Sequence, residues 1–321
     1  MIGSRTILAL GMGIAAATAG AQDYPAKPVR LIVPFPPGGS VDTVARLIAP
    51  RLTEKAGQPF VVENRSGASG NIGTEQVARA APDGYMLAVH TIPFVANRYL
   101  YAKMPYDALT DFVGVSLLCA SPSLLVVNPN LPARSVRELL DLARARPGKL
   151  NFATAGPATN PHIGGELINY LGKTDIVAIH YKGGGPAIMA TVAGDTELTV
   201  SGIAETGPLA TAGKLRALGV TSLTRNAAYP QIPTIAESGL PGYEFVTWHA
   251  LLGPKGLAPA VATLLAERLK GALAQPDAAR LLAANGLDVI TSAPAELAAH
   301  LAAESRKWGR VIKERGMKAE P

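Results

Sequence analysis

The chain has 321 residues, 48% of them hydrophobic and 17% charged; that length suits about two domains, and the composition excludes a disordered or long coiled-coil protein. The 30 Lys and Arg against 24 Asp and Glu leave a net charge of +6. No run of basic residues gathers that charge into a stripe, so no nucleic-acid partner is expected.

In chain order, residues 1–21 carry one charge, Arg5, then Ile7, Leu8, Ala9, Leu10 and small residues ending in Ala19-Gly20-Ala21. A basic start, an apolar core and a small-residue cleavage site describe a secretory signal peptide, and the core is shorter than the ~20 residues a membrane span needs. Cleavage after Ala21 would leave a mature chain starting at Gln22. Cys119 is the one cysteine, so no intrachain disulfide can form, and the mature N-terminus has no Cys to carry a lipid.

Residues 29–33 read as a buried strand and 34–40 as a loop, and from Val41 the apolar residues Val44, Ala45, Ile48 and Leu52 recur at helical spacing. A strand at 60–62, a Gly/Ser-rich loop at 63–73, a helix at 74–80 and a strand at 85–89 complete a β-α-β-α-β order. Such alternation predicts an open, mostly parallel α/β sheet. Residues 112–133 are uncharged over 22 positions but contain Pro122, Pro129 and Pro132, so they read as strand, turn, strand and not as a span. The alternation restarts with a helix at 136–145, a strand at 150–153, a helix at 162–171 and strands at 176–180, 198–200 and 215–221. Helices at 261–273 and 294–311 have no matching strands and read as a return onto the first module.

Two loops are candidates for chemistry. PFPPGGSVD at 34–42 joins two glycines to Ser40, a good N-cap, ahead of a helix whose free N–H groups suit a carboxylate or phosphate. Ordinary turn chemistry would look the same locally. FATAGPATNPHIGGEL at 152–167 repeats the design, with Asn160 able to cap and Pro161 at the first helical position. His162 and Glu166 share a helix face at i, i+4, but without a third ligand they are weak evidence for a metal, and no metal or cofactor is expected. HYKGGGPAI at 180–188 is not a phosphate loop, because G-x-x-x-x-G-K-[ST] is absent. Gly67-Ala68-Ser69-Gly70-Asn71 fails as a nucleophile elbow at its last position. Two anion-friendly helix mouths without a catalytic motif describe a cleft that closes on a ligand.

On these residues the sequence resembles the extracytoplasmic solute receptors of the tripartite tricarboxylate transporter family, the TctC or Bug proteins. Six segments carry the resemblance in the family's order: the two loops, APDGYML at 81–87, HYKGGGPAI, GKLRALGVTS at 213–222 and IPTIAESGLPGYE at 232–244. The resemblance implies a type II periplasmic binding protein, with two α/β lobes, a hinge of crossing strands and a ligand cleft between the lobes. It places lobe one at 22–122 plus 247–321 and lobe two at 123–246. It implies a periplasmic, non-enzymatic monomer that binds a small organic carboxylate and works with membrane subunits of a tripartite tricarboxylate transporter.

Carried over by residue, the ligand loops are Phe35, Pro36, Pro37, Gly38, Gly39, Ser40 and Asp42, and Thr154, Ala155, Gly156, Ala158, Thr159 and His162. Asp42 and His162 are expected to buttress the loops, since a bare carboxylate repels a bound anion. Departures from the family pattern bear on specificity. Pro157-Ala158 replaces the usual Asn-Gly, and a family aspartate becomes Ser201, which is expected to weaken selection for an amino group. The stretch around His90, Thr91 and Phe94 is unusual, and His249 follows Trp248 where an aromatic is common. His90, Thr91, Ser201 and Trp248 are therefore expected at the ligand, with aromatic or nonamino carboxylates favoured over acidic amino acids. Two competing readings are a sensory receptor with no transporter of its own and a secreted hydrolase on the same scaffold.

Overall fold

The computed structural model describes residues 24–318; the expected signal peptide lies outside them. The first half of the fold starts with β1 (Val29–Val33), α1 (Ser40–Ala56), β2 (Phe60–Asn64), α2 (Asn71–Ala78), β3 (Met86–His90) and α3 (Pro93–Leu100). Strand β1, VRLIV, is apolar on both faces apart from Arg30, as a strand covered on both sides must be. It pairs in parallel with β2 and β3.

Strand β4 (Phe112–Val127) follows, then α4 (Val136–Ala145), β5 (Asn151–Thr154), α5 (Asn160–Gly172), β6 (Val177–His180), α6 (Gly184–Ala193), β7 (Leu198–Gly202), α7 (Ile203–Thr211) and β8 (Arg216–Val220). In this second half β5 pairs in parallel with β6 and β7. The chain returns through β9 (Val246–Pro254), α8 (Pro259–Leu273), α9 (Pro276–Ala284), β10 (Asp288–Val289) and α10 (Pro294–Glu314).

The parallel triplets match the expected α/β alternation, but between them lie two long antiparallel strands. The strand order is β2-β1-β3-β9-β4-β7-β5-β6, with β8 and β10 also pairing β4. The first part of β4 pairs with β9 up to Pro122, opposite Val246; from Ser123 it pairs with β7 and β8. The expected strand, turn, strand at 112–133 is thus one strand that runs through Pro122 to Val127, with the turn only after it. Proline lacks an N–H, and a strand tolerates it where the partner changes. Among the described residues no helix is long and apolar enough to cross a membrane.

The two C-terminal helices return onto the first half as expected: α8 packs on α1 and β4, and α10 on α3 and β4, with α10 also reaching α5. One core cluster lies under α1 and α8, around Leu31, Ile48 and Leu265. A larger one runs from Phe94 and Trp308 through to Phe152 and Ile163, joining the two halves on the α10 side.

Candidate functional site

Each loop is shaped by a strand end, a glycine and the helix that follows. Helix α1 starts at Ser40 with Gly39 as its N-cap in extended conformation, so Ser40 is not the cap and no side chain caps that end. Gly38 sits at φ +83°, where an L side chain is strained. Its N–H donates to Asp42 Oδ2 at 2.9 Å, Asn64 Nδ2 donates to Asp42 Oδ1 at 2.9 Å, and Arg46 Nε donates to the same carboxylate at 2.9 and 3.0 Å. Burial pushes the Asp42 carboxyl up, but the bonds from Arg46, Gly38 and Asn64 outweigh it and hold it below the usual carboxylate range. Asp42 thus ties the loop to α1 and β2.

The second loop is built alike. Thr159, not Asn160, is the N-cap of α5, and Pro161 falls at the second helical position. Thr159 Oγ1 donates to Gly156 O at 2.7 Å, and Gly156 N–H donates to Thr154 Oγ1 at 3.2 Å. Ala158 N–H donates to His162 Nδ1 at 3.0 Å, so that nitrogen carries no proton. Burial, with His180 alongside, lowers the His162 pKa to about 4. His162 therefore props the loop as a neutral ring. Glu166, one turn further on, pairs its carboxylate with Arg315 at 2.8 Å, and no group of three potential metal ligands occurs among the described residues.

Both helix mouths face one cleft with two arms. The inner arm, about 410 Å³, is lined by Gly38, Gly39, Ser40, Ala155 and Ser201 among the expected residues, and by Glu205 and His249 beyond them. The outer arm, about 480 Å³, is lined by Phe35, Pro36, Pro37, Thr91, Ala158 and Thr159, and by Ser69 and Lys182. Gly39, Ser40, Ala155, Asn160 and Pro161 line both arms, so the helix mouths stand where the arms meet. Thr91 Oγ1, Asn160 Oδ1 and His249 Nε2 are buried without a hydrogen-bond partner among the described residues. A larger cavity, about 700 Å³, lies between the ends of α4, α5 and α10. Neither loop reaches it, and its arginines are engaged, Arg144 with Gly172 O and Arg315 with Glu166.

Four other expected site residues lie behind the cleft wall. Thr154 and Gly156 shape the second loop through their mutual bond. His90 is fully buried; its Nδ1 accepts from Thr91 N–H at 2.8 Å, and its Nε2 lies 3.0 Å from Thr74 Oγ1. Thr74 spends its own proton on Gly70 O, so His90 is a neutral Nε2–H donor, and burial lowers its pKa to about 3. Its ring packs edge-on against Phe35 and supports the first loop from below.

Trp248 is also corrected to a core residue, 2% exposed. Its Nε1 donates to Glu304 Oε2 at 2.9 Å, an oxygen that also accepts from Trp308 Nε1 at 2.8 Å. Trp248→Phe is expected to lower stability by about 1.5 kcal/mol, the worth of a hydrogen bond to a charged acceptor. Ligand affinity should stay within about twofold by calorimetry; a tenfold loss would return Trp248 to the binding surface.

Glu205 was not singled out in the sequence, and His249 stood out only as an unusual neighbour of Trp248. The near-elbow serine, Ser69, lines the outer arm with its hydroxyl accepting from Tyr101 at 2.9 Å, while the neighbouring His90 bonds Thr74 and Thr91.

Residues 44–317 match the family described as "Tripartite tricarboxylate transporter family receptor". Protein BugT of Bordetella pertussis is 36% identical over 321 residues, covering 98% of both chains. The solved structure of Rhodopseudomonas palustris Rpa4515 with adipate superposes with a TM-score of 0.82 at 36% identity, covering 92% of this chain and 99% of that one. MatC from the same organism, with bound malate, gives 0.79 at 32% identity, covering 90% and 100%. The two α/β halves around a cleft are the two-lobed fold of these periplasmic receptors, and the chain belongs to the receptor family of the tripartite tricarboxylate transporters.

Proposed function

We propose that this receptor captures a small organic carboxylate in the cleft and presents it to the membrane subunits of a tripartite transporter. The carrying observation is that the N-termini of α1 and α5 border the same cleft where its arms meet, at Gly39, Ser40, Ala155 and Asn160. Two helix N-termini offer unpaired N–H groups and the positive ends of two dipoles to one anion, at little reorganisation cost. The adipate and malate held by two relatives support the ligand class.

In this reading the first-loop residues from Phe35 to Ser40 and the second-loop residues Ala155, Ala158 and Thr159 line the ligand, with Thr91 and Ser201 beyond them. Asp42, His90, Thr154, Gly156 and His162 hold those loops in place. The lobes divide at 122/123 and 246/247, a division supported by the change of β4's partners between Pro122 and Ser123. The chain is exported by cleavage after Ala21, works in the periplasm as a monomer and needs no catalysis.

The reading is tested by calorimetry and thermal shift of the mature protein against mono-, di- and tricarboxylates, amino acids and sugars, since a ligand bound only by the folded state raises Tm. Carboxylates should shift Tm, and sugars should not. Ser40→Ala is expected to weaken the binding of that carboxylate about five- to tenfold, the worth of one hydrogen bond. Because Ser40 makes no capping bond, its stability should stay within about 0.5 kcal/mol of the parent. Unchanged affinity would remove the first loop from the carboxylate site.

A further inference from the structure

The inner arm carries a charge that the family pattern does not predict. Ser201 stands on β7, where the resemblance implies an aspartate, and Glu205, four residues on in the first turn of α7, lines the same arm. Its carboxylate folds back over Gly202, with Oε2 3.6 Å from where a Cβ on that glycine would stand. Glu205 is exposed to the cleft and has no ion-pair partner among the described residues, and the part of it that is covered raises its pKa.

His249 reaches the same arm from β9, in the other half of the sheet. Its Nδ1 lies 3.6 Å from Cys119 Sγ, which leaves Nε2, buried and unpartnered, as its one free polar atom. Burial lowers the His249 pKa to about 4, so the ring is neutral. The remaining polar groups there, including Ser121, Ser123, Thr247 and Asn285, are uncharged. Among the described residues, Glu205 is therefore the one charged side chain lining the inner arm.

We propose that Glu205, with His249, reads the end of the ligand opposite its carboxylate and selects a hydrogen-bond donor there, a hydroxyl or an ammonium, over a second carboxylate. The proposal rests on the carboxylate reading of the helix mouths and names the class within it. A donor from the ligand gives the Glu205 charge the partner it lacks. A second carboxylate in the same place would meet a like charge in a space of about 410 Å³. This reverses the expectation, drawn from Ser201, that selection for an amino group is weak: the carboxylate is displaced along the chain and not lost.

The test is calorimetry on the mature protein and on Glu205→Gln, using ω-hydroxy, ω-amino and dicarboxylic acids matched at four, five and six carbons, with the plain monocarboxylates as references. The wild-type protein is expected to bind an ω-hydroxy or ω-amino acid at least tenfold tighter than the dicarboxylate of equal length, and the better of the two identifies the donor. Glu205→Gln should erase that preference by weakening the donor ligand and strengthening the dicarboxylate, while the monocarboxylate changes less than about threefold. Wild-type binding that ranks the dicarboxylate first, or a ranking untouched by Glu205→Gln, would place the ligand's tail in the outer arm beside Lys182 and overturn the proposal alone. If no carboxylate binds at all, the carboxylate reading fails and takes the proposal with it. Should the variant not fold, the wild-type ranking still decides.

Discussion

At pH 5 the protein is expected to be less stable than at pH 7.5 by up to about 6 kcal/mol, a large share of the 5–15 kcal/mol that holds a typical domain together. The loss comes from His90, His162 and His249, all less than a tenth exposed, with folded pKa values of about 3, 4 and 4. In the unfolded chain each titrates near 6.5. Between 6.5 and the folded values only the unfolded state takes up a proton, so the full stability is present above 6.5 and drains away as pH falls towards 4. At pH 5 that is about 2 kcal/mol per histidine. The raised carboxyls of Glu205 and Asp288 act in the opposite sense and trim the loss, because the folded state holds their protons more tightly. Urea unfolding at pH 7.5, 6.5, 5.5 and 5.0 reads the effect directly. A midpoint that does not move across this range would show that the three imidazoles are not buried neutral.

The second large effect is expected from Asp42→Ala. Its carboxylate accepts from Gly38 N–H, Asn64 Nδ2 and Arg46 Nε, and it is 3% exposed. Hydrogen bonds to a charged group contribute about 1.5–3 kcal/mol each, and the donors left behind, being exposed or half-buried, can turn to water. We expect a loss of about 3 kcal/mol in thermal unfolding. A fall in ligand affinity of tenfold or more should accompany it, because Gly38 loses the contact that sets the loop over α1. Asp42→Asn, which keeps one acceptor oxygen, should lose less of both. The folded pKa of Asp42 is depressed, so its contribution is present above the ordinary carboxylate value near 4 and is lost as pH falls through the folded value. That window opens near pH 4, where the loss from the histidines is nearly complete, so the Asp42 contribution is lost at the acid end of the same transition. If Asp42→Ala alters stability but not affinity, the loop keeps its shape without this anchor, and Asp42 belongs to the helix alone.

Strand–loop–helix units were legible where the information is local. A strand of four apolar residues and Arg30 at β1, a PPGG turn and apolar residues at helical spacing suffice to place α1, and the helix at 136–145 was placed to the residue. The caps were misread by one position in both loops, because Gly39 and Ser40, like Thr159 and Asn160, are both competent caps. Backbone geometry at the strand end chose between them. The path of β4 through Pro122 could not be read from the sequence, since the permissive feature there is a change of partners supplied by β9 and β7, each more than 70 residues away.

Local pattern by itself decided the α/β class and the place of the two strand–loop–helix turns, because each depends on residues a few positions apart. Tertiary packing decided which side chains reach the cleft. Trp248 turns away from it because Glu304, 56 residues later, accepts its indole N–H; His90 sinks beneath Phe35 because Thr74 and Thr91 satisfy both its nitrogens. Glu205 and His249 meet in one arm although 44 residues separate them, since β7 and β9 both flank β4. Spacing along a chain fixes the partners of a turn or a helix end. A pocket wall assembled from distant strands has no such spacing, and only the pairing of the sheet brings its residues together.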